Sequence, residues 1–232
     1  MEYHKDYLER LYPLQDNFLK FFDTLNQGRF YLTGGTALSR FYYCHRHSED
    51  LDFFSVSELK DFRGVVAKTL EGARQKKFSI EVETASDHFF RFYAKEKEAS
   101  LKIDFVNETV FHFGELNRFP LFACVDNELN ILANKISCIS RYEAKDIADI
   151  WALAKHVSFS WREIVGIANK KSPADPVEVS KIINAMPRDE LKLIKWARDI
   201  SLEGVYSDLK TIAEDILLGR ANTLKSGSGS KA

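Results

Sequence analysis

The spacing of apolar residues changes character about half-way along this chain, and that change limits what it can fold into. Before Pro120, residues 78–84, 88–94 and 101–106 read as strands, and the separators Ala85-Ser86-Asp87 and 96–100 are short enough for hairpin turns. From Asn127 almost to Lys225 the apolar residues recur at helical intervals, broken by the turn-like stretch 171–176. The pattern predicts an α/β (α+β) half over residues 1–125 and a helical half over 126–225. Residues 226–232 have the Ser/Gly composition of a flexible tail. With 232 residues, 45% of them hydrophobic, the chain can bury one large core or two modest ones.

Within the first half, Leu8, Leu11, Phe18, Phe21, Phe22 and Leu25 sit at helical spacing, and Pro13 predicts a break between a short turn and a longer helix ending near Gln27. Residues 30–33 read as a short strand running into Gly34-Gly35, a tight turn, after which Thr36 is expected to cap a helix reaching about Tyr42. Acidic and apolar residues then alternate over 49–54 with the period of a half-buried strand. Leu59, Phe62, Val65, Val66 and Leu70 predict an amphipathic helix capped by Ser57 and closing on Arg74, Lys76 and Lys77. The hairpin run 78–106 completes a mixed sheet that is mainly antiparallel.

Charge and cysteine content exclude several classes. Thirty-three basic against 34 acidic residues give a formal net charge of -1, which removes the long-range field of a general nucleic-acid coat or membrane-surface protein. Cys44, Cys124 and Cys138 are odd in number and lack a short-spaced pair, fitting neither a disulfide framework nor a structural zinc site. The N-terminal residues lack the apolar core of a signal peptide, and no uncharged stretch approaches the ~20 residues needed to span a bilayer. A cytoplasmic protein with no membrane partner is expected.

The acids carry the chemistry. On a strand, Asp50 and Asp52 point the same way while Leu51 and Phe53 enter the core. Two adjacent carboxylates repel and call for a cation, and hard oxygen donors favour Mg2+ completed by phosphate oxygens. The Gly34-Gly35 turn offers backbone N–H groups at a helix start for a polyphosphate, and Ser48 adds a hydroxyl donor. Asp104, flanked by Ile103 and Phe105, supplies a third strand-borne acid if its strand lies beside that of Asp50. Three such carboxylates can hold two magnesium ions.

Gly34-Gly35-Thr36-Ala37-Leu38, then Arg46-His47-Ser48-Glu49-Asp50-Leu51-Asp52-Phe53, and later Lys135 with the segment Arg141 to Ile150 together resemble the abortive-infection AbiEii toxin family. The resemblance spans about residues 30–155. It implies a nucleotidyltransferase core of the DNA polymerase beta type plus a C-terminal helical bundle, and transfer of a nucleoside monophosphate from a nucleoside triphosphate to an acceptor, RNA such as tRNA or protein. It also implies magnesium dependence and a toxin's place beside a cognate antitoxin in a bacterial toxin–antitoxin or phage-defence pair. Carried over by position, it gives Gly34, Gly35 and Ser48 to phosphate binding, Asp50, Asp52 and Asp104 to the metal, Lys135 to the triphosphate and Asp146 to the active site, with Asp149 one helical turn further and Arg46 at a family position of open role.

Read without the family, Lys135 is a solvated helix lysine, and Asp146 and Asp149 are helix-surface charges pairing with Arg141 or Lys145. His45 and His47 are polar loop residues rather than metal ligands, since no third soft ligand stands near. Arg74, Lys76, Lys77, Lys95 and Lys97 are a basic rim for RNA or, by default, a solvated helix end and hairpin tip. Two other functions fit the same motifs: a small-molecule nucleotidyltransferase of the antibiotic-modifying kind, and a catalytically silent nucleotide-binding partner module.

Overall fold

The computed structural model describes residues 2–108 and 111–226. The chain forms two compact units: Met1–Tyr42, His47–Val110 and Glu115–Asp126 make the first, and Tyr43–Arg46, Phe111–Gly114 and Asn127–Ala232 the second. The tail expected over 226–232 lies outside the described residues from Gly227 onward.

The first unit is a five-stranded sheet with helices. Its strands are β1 (Phe30–Thr33), β2 (Leu51–Ser55), β3 (Ser79–Ala85), β4 (Phe89–Glu96) and β5 (Ala99–Val106), in the order β1-β2-β5-β4-β3. Only β2 and β5 pair in parallel; β1–β2, β4–β5 and β3–β4 are antiparallel, so the sheet is mixed and mainly antiparallel as the hairpin spacing predicts. The β2–β5 register is fixed on the apolar face. Phe53 and Phe105 are direct partners, both fully buried, with ring centroids 5.0 Å apart, and Phe22 packs on each of them at 4.7 and 5.1 Å. Such ring pairs add ~1 kcal/mol each beyond the area they bury, and a slip of one residue in either strand would turn that strand's ring to the opposite face.

Pro13 does not break the first helix. The chain runs through α1 (Glu2–Asp6), a π-helical stretch (Tyr7–Leu11) and α2 (Tyr12–Asn26), with Pro13 in the first turn of α2. The wider π turn falls where the proline N–H is missing, and the helix continues through it. The next helix begins at Gly34, directly after β1: α3 (Gly34–Ala37) passes into a second π-helical stretch (Leu38–Tyr43). Thr36 is therefore inside the helix and caps nothing. Helix α4 (Phe62–Gln75) starts five residues later than Ser57, because the Asp61 side chain accepts from Gly64 N and supplies the cap.

The second unit is helical: α5 (Glu128–Ser137), a 3-10 turn (Ile139–Arg141), α6 (Ala144–His156), α7 (Trp161–Asn169), α8 (Pro176–Asn184), α9 (Arg188–Lys192), α10 (Leu202–Leu218) and α11 (Thr223–Ser226). Asn127 caps α5, and Asp175 caps α8 ahead of Pro176. Ile131, Ile136, Ile147, Ile150, Leu153 and Trp161 are buried in its core. No helix among the described residues is long and apolar enough to cross a membrane.

Candidate active site

In the first unit the acidic face grows from the sheet register. Thr33 at the end of β1 is the partner of Asp52, and Asp52 is the partner of Asp104. The strand bearing Asp104 thus lies beside the Asp52 strand, as the third-acid argument requires. Leu51, Phe53 and Ser55 are buried while Asp52 and Phe54 are partly exposed; Asp50 immediately precedes the strand and is likewise partly exposed.

Gly34 brings the helix start against this face. Its φ is +74°, a left-handed conformation that disfavours any side chain, and an added Cβ would lie 2.7 Å from Asp52 Oδ2. Any side chain there would require the Asp52 carboxylate to move. The segment between helix and strand is pinned by side chains on its backbone. Gln15 Nε2 donates to the carbonyls of Ser48 (3.1 Å) and Glu49 (3.0 Å), and the Thr36 hydroxyl donates to the Asp50 carbonyl. Thr36 Oγ1 and Ser48 Oγ are 2.9 Å apart. Arg40 holds Gln15 Oε1 at 2.7 Å, and His47 stacks on Tyr7 while bonding Tyr12 and His4 at 2.8 Å each.

Two cations that the sequence reading passed over stand on the acids. Arg91 of β4, the register partner of Asp104, forks its carboxylate with Nε and Nη2 both at 2.7 Å. Lys102 Nζ lies 2.6 Å from Asp50 Oδ2. Cross-strand pairing of opposite charges is the signal that would have found both. The Asp104 hydrogen bond holds the Arg91 guanidinium above its ordinary range. Burial works to lower the Lys102 ammonium, and the Asp50 carboxylate more than offsets it. Asp50 and Asp52 are the hard oxygen donors magnesium takes, and one or two carboxylates with substrate phosphates are its usual protein complement, so the donor set fits this ion. Asp104, the third expected ligand, has both oxygens held by Arg91. Among the described residues no group of three or more His, Cys, Asp and Glu is placed to hold a metal ion.

In the second unit Asp146 and Asp149, helix-surface charges when read without the family, are buried. Asp149 is fully buried and Asp146 is 2% exposed. Arg46 binds Asp149 through Nε (2.7 Å) and Nη2 (2.8 Å), His45 Nε2 lies 2.8 Å from Asp149 Oδ1, and Lys135 Nζ bridges Asp149 (2.8 Å) and Asp146 (2.6 Å). Arg141 closes the chain on Asp146 Oδ2 at 2.8 Å. Lys135 is thus no solvated lysine: α5 and α6 face each other, and the two acids one helical turn apart both meet its ammonium. Lys145 stays exposed.

Charge compensation decides the protonation states here. Burial would raise the Asp149 carboxyl, but Arg46 and then Lys135 hold it well below its ordinary value. Burial would lower the Lys135 ammonium, and Asp149 and Asp146 keep it above. For His45 burial prevails: it lowers the imidazole despite the Asp149 hydrogen bond, and Nδ1 is buried without a hydrogen-bond partner among the described residues. Against the ionised Asp149 carboxylate, which can only accept, Nε2 is the donor.

Of the expected basic rim, Lys95 pairs with Glu81, and Lys77 and Lys97 are turn residues with positive φ. Phe41 and Tyr42 pack on Phe119 at 5.2 and 5.3 Å.

The sequence matches, over residues 21–172, the family described as nucleotidyl transferase AbiEii toxin of type IV toxin–antitoxin systems. That stretch is well over half of the chain and contains every element of both clusters except Gln15 and the N-terminal residues.

The chain belongs to the AbiEii nucleotidyltransferase toxin family.

It is therefore a nucleotidyltransferase, and its family implies a nucleoside triphosphate substrate and a cognate antitoxin. Solved structures share the fold of this AbiEii chain. An H. pylori protein assigned as a candidate nucleotidyltransferase superposes with a TM-score of 0.63 at 21% identity, covering 94% of this chain and 97% of its own. JHP933 from Helicobacter pylori gives 0.63 at 20% identity over 94% and 93%. MenT4, a nucleotidyltransferase toxin from Mycobacterium tuberculosis, gives 0.61 at 18% identity over 90% and 82%. No curated protein sequence matches the chain.

Proposed function

We propose that this AbiEii protein transfers a nucleoside monophosphate from a nucleoside triphosphate to a hydroxyl of an RNA, such as tRNA, or of a protein, with magnesium as cofactor and toxicity as the outcome in the cell. The observation that supports this most is the approach of Gly34 to Asp52, which sets a glycine turn and helix start directly against a strand-borne carboxylate. Asp50 and Asp52, with Asp104 beside them, would hold magnesium, which when bound would offset the charge of the polyphosphate and favour pyrophosphate as leaving group. Gly34 and Gly35 would offer backbone N–H groups to the phosphates and Ser48 its hydroxyl, with Thr36 and Gln15 fixing the segment that carries it. In the second unit, Lys135 is kept protonated by Asp149 and Asp146, the state needed of a lysine that neutralises phosphate. Asp146 would position Lys135, and Arg46 would position Asp149.

The reading is tested by incubating the protein with magnesium, each α-labelled nucleoside triphosphate in turn, and total bacterial RNA or lysate. Label covalently attached to RNA or to protein, with pyrophosphate released, is expected. No labelled acceptor from any pool, with every triphosphate, would overturn it.

A further inference from the structure

Asp50, Asp52 and Asp104 carry three negative charges, and the two cations on the same sheet face, Lys102 and Arg91, return two of them. Both contacts have the form of ion pairs: Lys102 Nζ at 2.6 Å from Asp50 Oδ2, and the Arg91 fork at 2.7 Å on both oxygens of Asp104. The Arg91 fork makes two contacts to the more buried acid, the Asp104 side chain being 9% exposed and that of Asp50 32%. A divalent ion arriving alone must displace one of these cations or sit beside both, against a net charge of only one from these five groups. It also finds no complete set of protein ligands among the described residues.

We propose that Lys102 and Arg91 are resident counter-ions that close the carboxylate face to a bare divalent cation, so that the metal is taken up only together with a polyphosphate. The inference rests on the magnesium reading of Asp50 and Asp52. The incoming triphosphate brings oxygen ligands for the metal and negative charge for the displaced lysine and arginine, so the two cations exchange carboxylate partners for phosphate ones. Lys102 and Arg91 are positioning residues in this scheme.

The test is Mn2+ binding followed by electron paramagnetic resonance of the free ion, with and without a non-hydrolysable triphosphate. The wild type should bind Mn2+ weakly alone and strongly with the nucleotide. Lys102→Met should tighten binding of Mn2+ alone about three- to fivefold, the scale of a half-exposed ion pair, and Arg91→Met about tenfold. Lys102→Arg, which keeps the charge, should bind as the wild type does. A thermal melt of each variant establishes that it is folded. Unchanged or weaker Mn2+ binding in folded Lys102→Met and Arg91→Met would overturn the counter-ion role. The Asp50→Asn, Asp52→Asn double variant separates the two readings: if it keeps nucleotide-dependent Mn2+ binding, the metal site itself is wrongly assigned, whereas if it loses that binding and Lys102→Met does not differ from wild type, the counter-ion role alone fails.

Discussion

Asp52 and Asp104 are direct partners across the parallel β2–β5 pair, while Phe53 and Phe105, one residue further along each strand, are stacked partners on the opposite face. One register sets both. The buried rings fix which residues oppose each other, and the pleat then presents the two acids together on the other side.

Gly34 is where this face meets the helix start. Gly34→Ala should cost ~1 kcal/mol for the positive φ and more for the overlap with Asp52, and should lower transfer activity at least about tenfold because the carboxylate must move. Gly28 has nearly the same φ, +72°, and nothing within 4 Å of an added Cβ. Gly28→Ala should show the backbone cost alone with activity kept, and urea unfolding alongside an activity assay of both variants checks the contrast.

Asp149 anchors the buried network of the helical unit. Asp149→Ala leaves Arg46 and Lys135 buried without their shared partner and should destabilise the protein by about 3–5 kcal/mol. Arg46→Lys cannot reproduce the two-point contact and should cost about 1–2 kcal/mol. Chemical denaturation midpoints with unchanged slopes check both.

His45 predicts a pH dependence of a definite sign. Its folded-state affinity for a proton is depressed by burial, so below about pH 6.5, the ordinary imidazole value, the unfolded chain takes up a proton that the folded one refuses. Stability from this group is present above that pH and declines as the pH falls, by up to ~1.4 kcal/mol per pH unit, until the folded value is passed. Asp149, also depressed, contributes above about pH 3.9 and loses that contribution as the pH falls through its folded value; Lys135, raised, contributes below about pH 10.4 and loses it as the pH rises through its own. Denaturation midpoints from pH 5 to 7 should rise with pH less steeply in His45→Gln than in the wild type. Identical slopes would mean that His45 binds a proton equally well in the folded and unfolded chain, and a steeper rise in His45→Gln that the fold favours the protonated ring.

Much of this architecture is legible in the sequence because the signals are local. The strand runs 78–84, 88–94 and 101–106 carry their own period and turns, and the alternation around Asp52 declares which face it occupies. Capping and helix starts are less so: Ser57 and Asp61 are both good caps, and only packing chooses Asp61. The charged partners were the least legible. Arg91 meets Asp104 through a strand register, legible only once the hairpin pairing is fixed, and Lys135 meets Asp146 and Asp149 through the packing of two helices, which nothing within a few residues of Lys135 marks. Residues 43–46 belong to the helical unit for the same reason, with Arg46 bound to an acid 103 positions away.

Asp50 and Asp52 are the residues on which the proposed nucleotidyl transfer depends. Transfer of label from an α-labelled nucleoside triphosphate to an acceptor, measured in magnesium for the wild type and for the Asp50→Ala, Asp52→Ala double variant, tests it most directly. The wild type should label an acceptor and a folded double variant should not; equal labelling by both would remove Asp50 and Asp52 from the reaction.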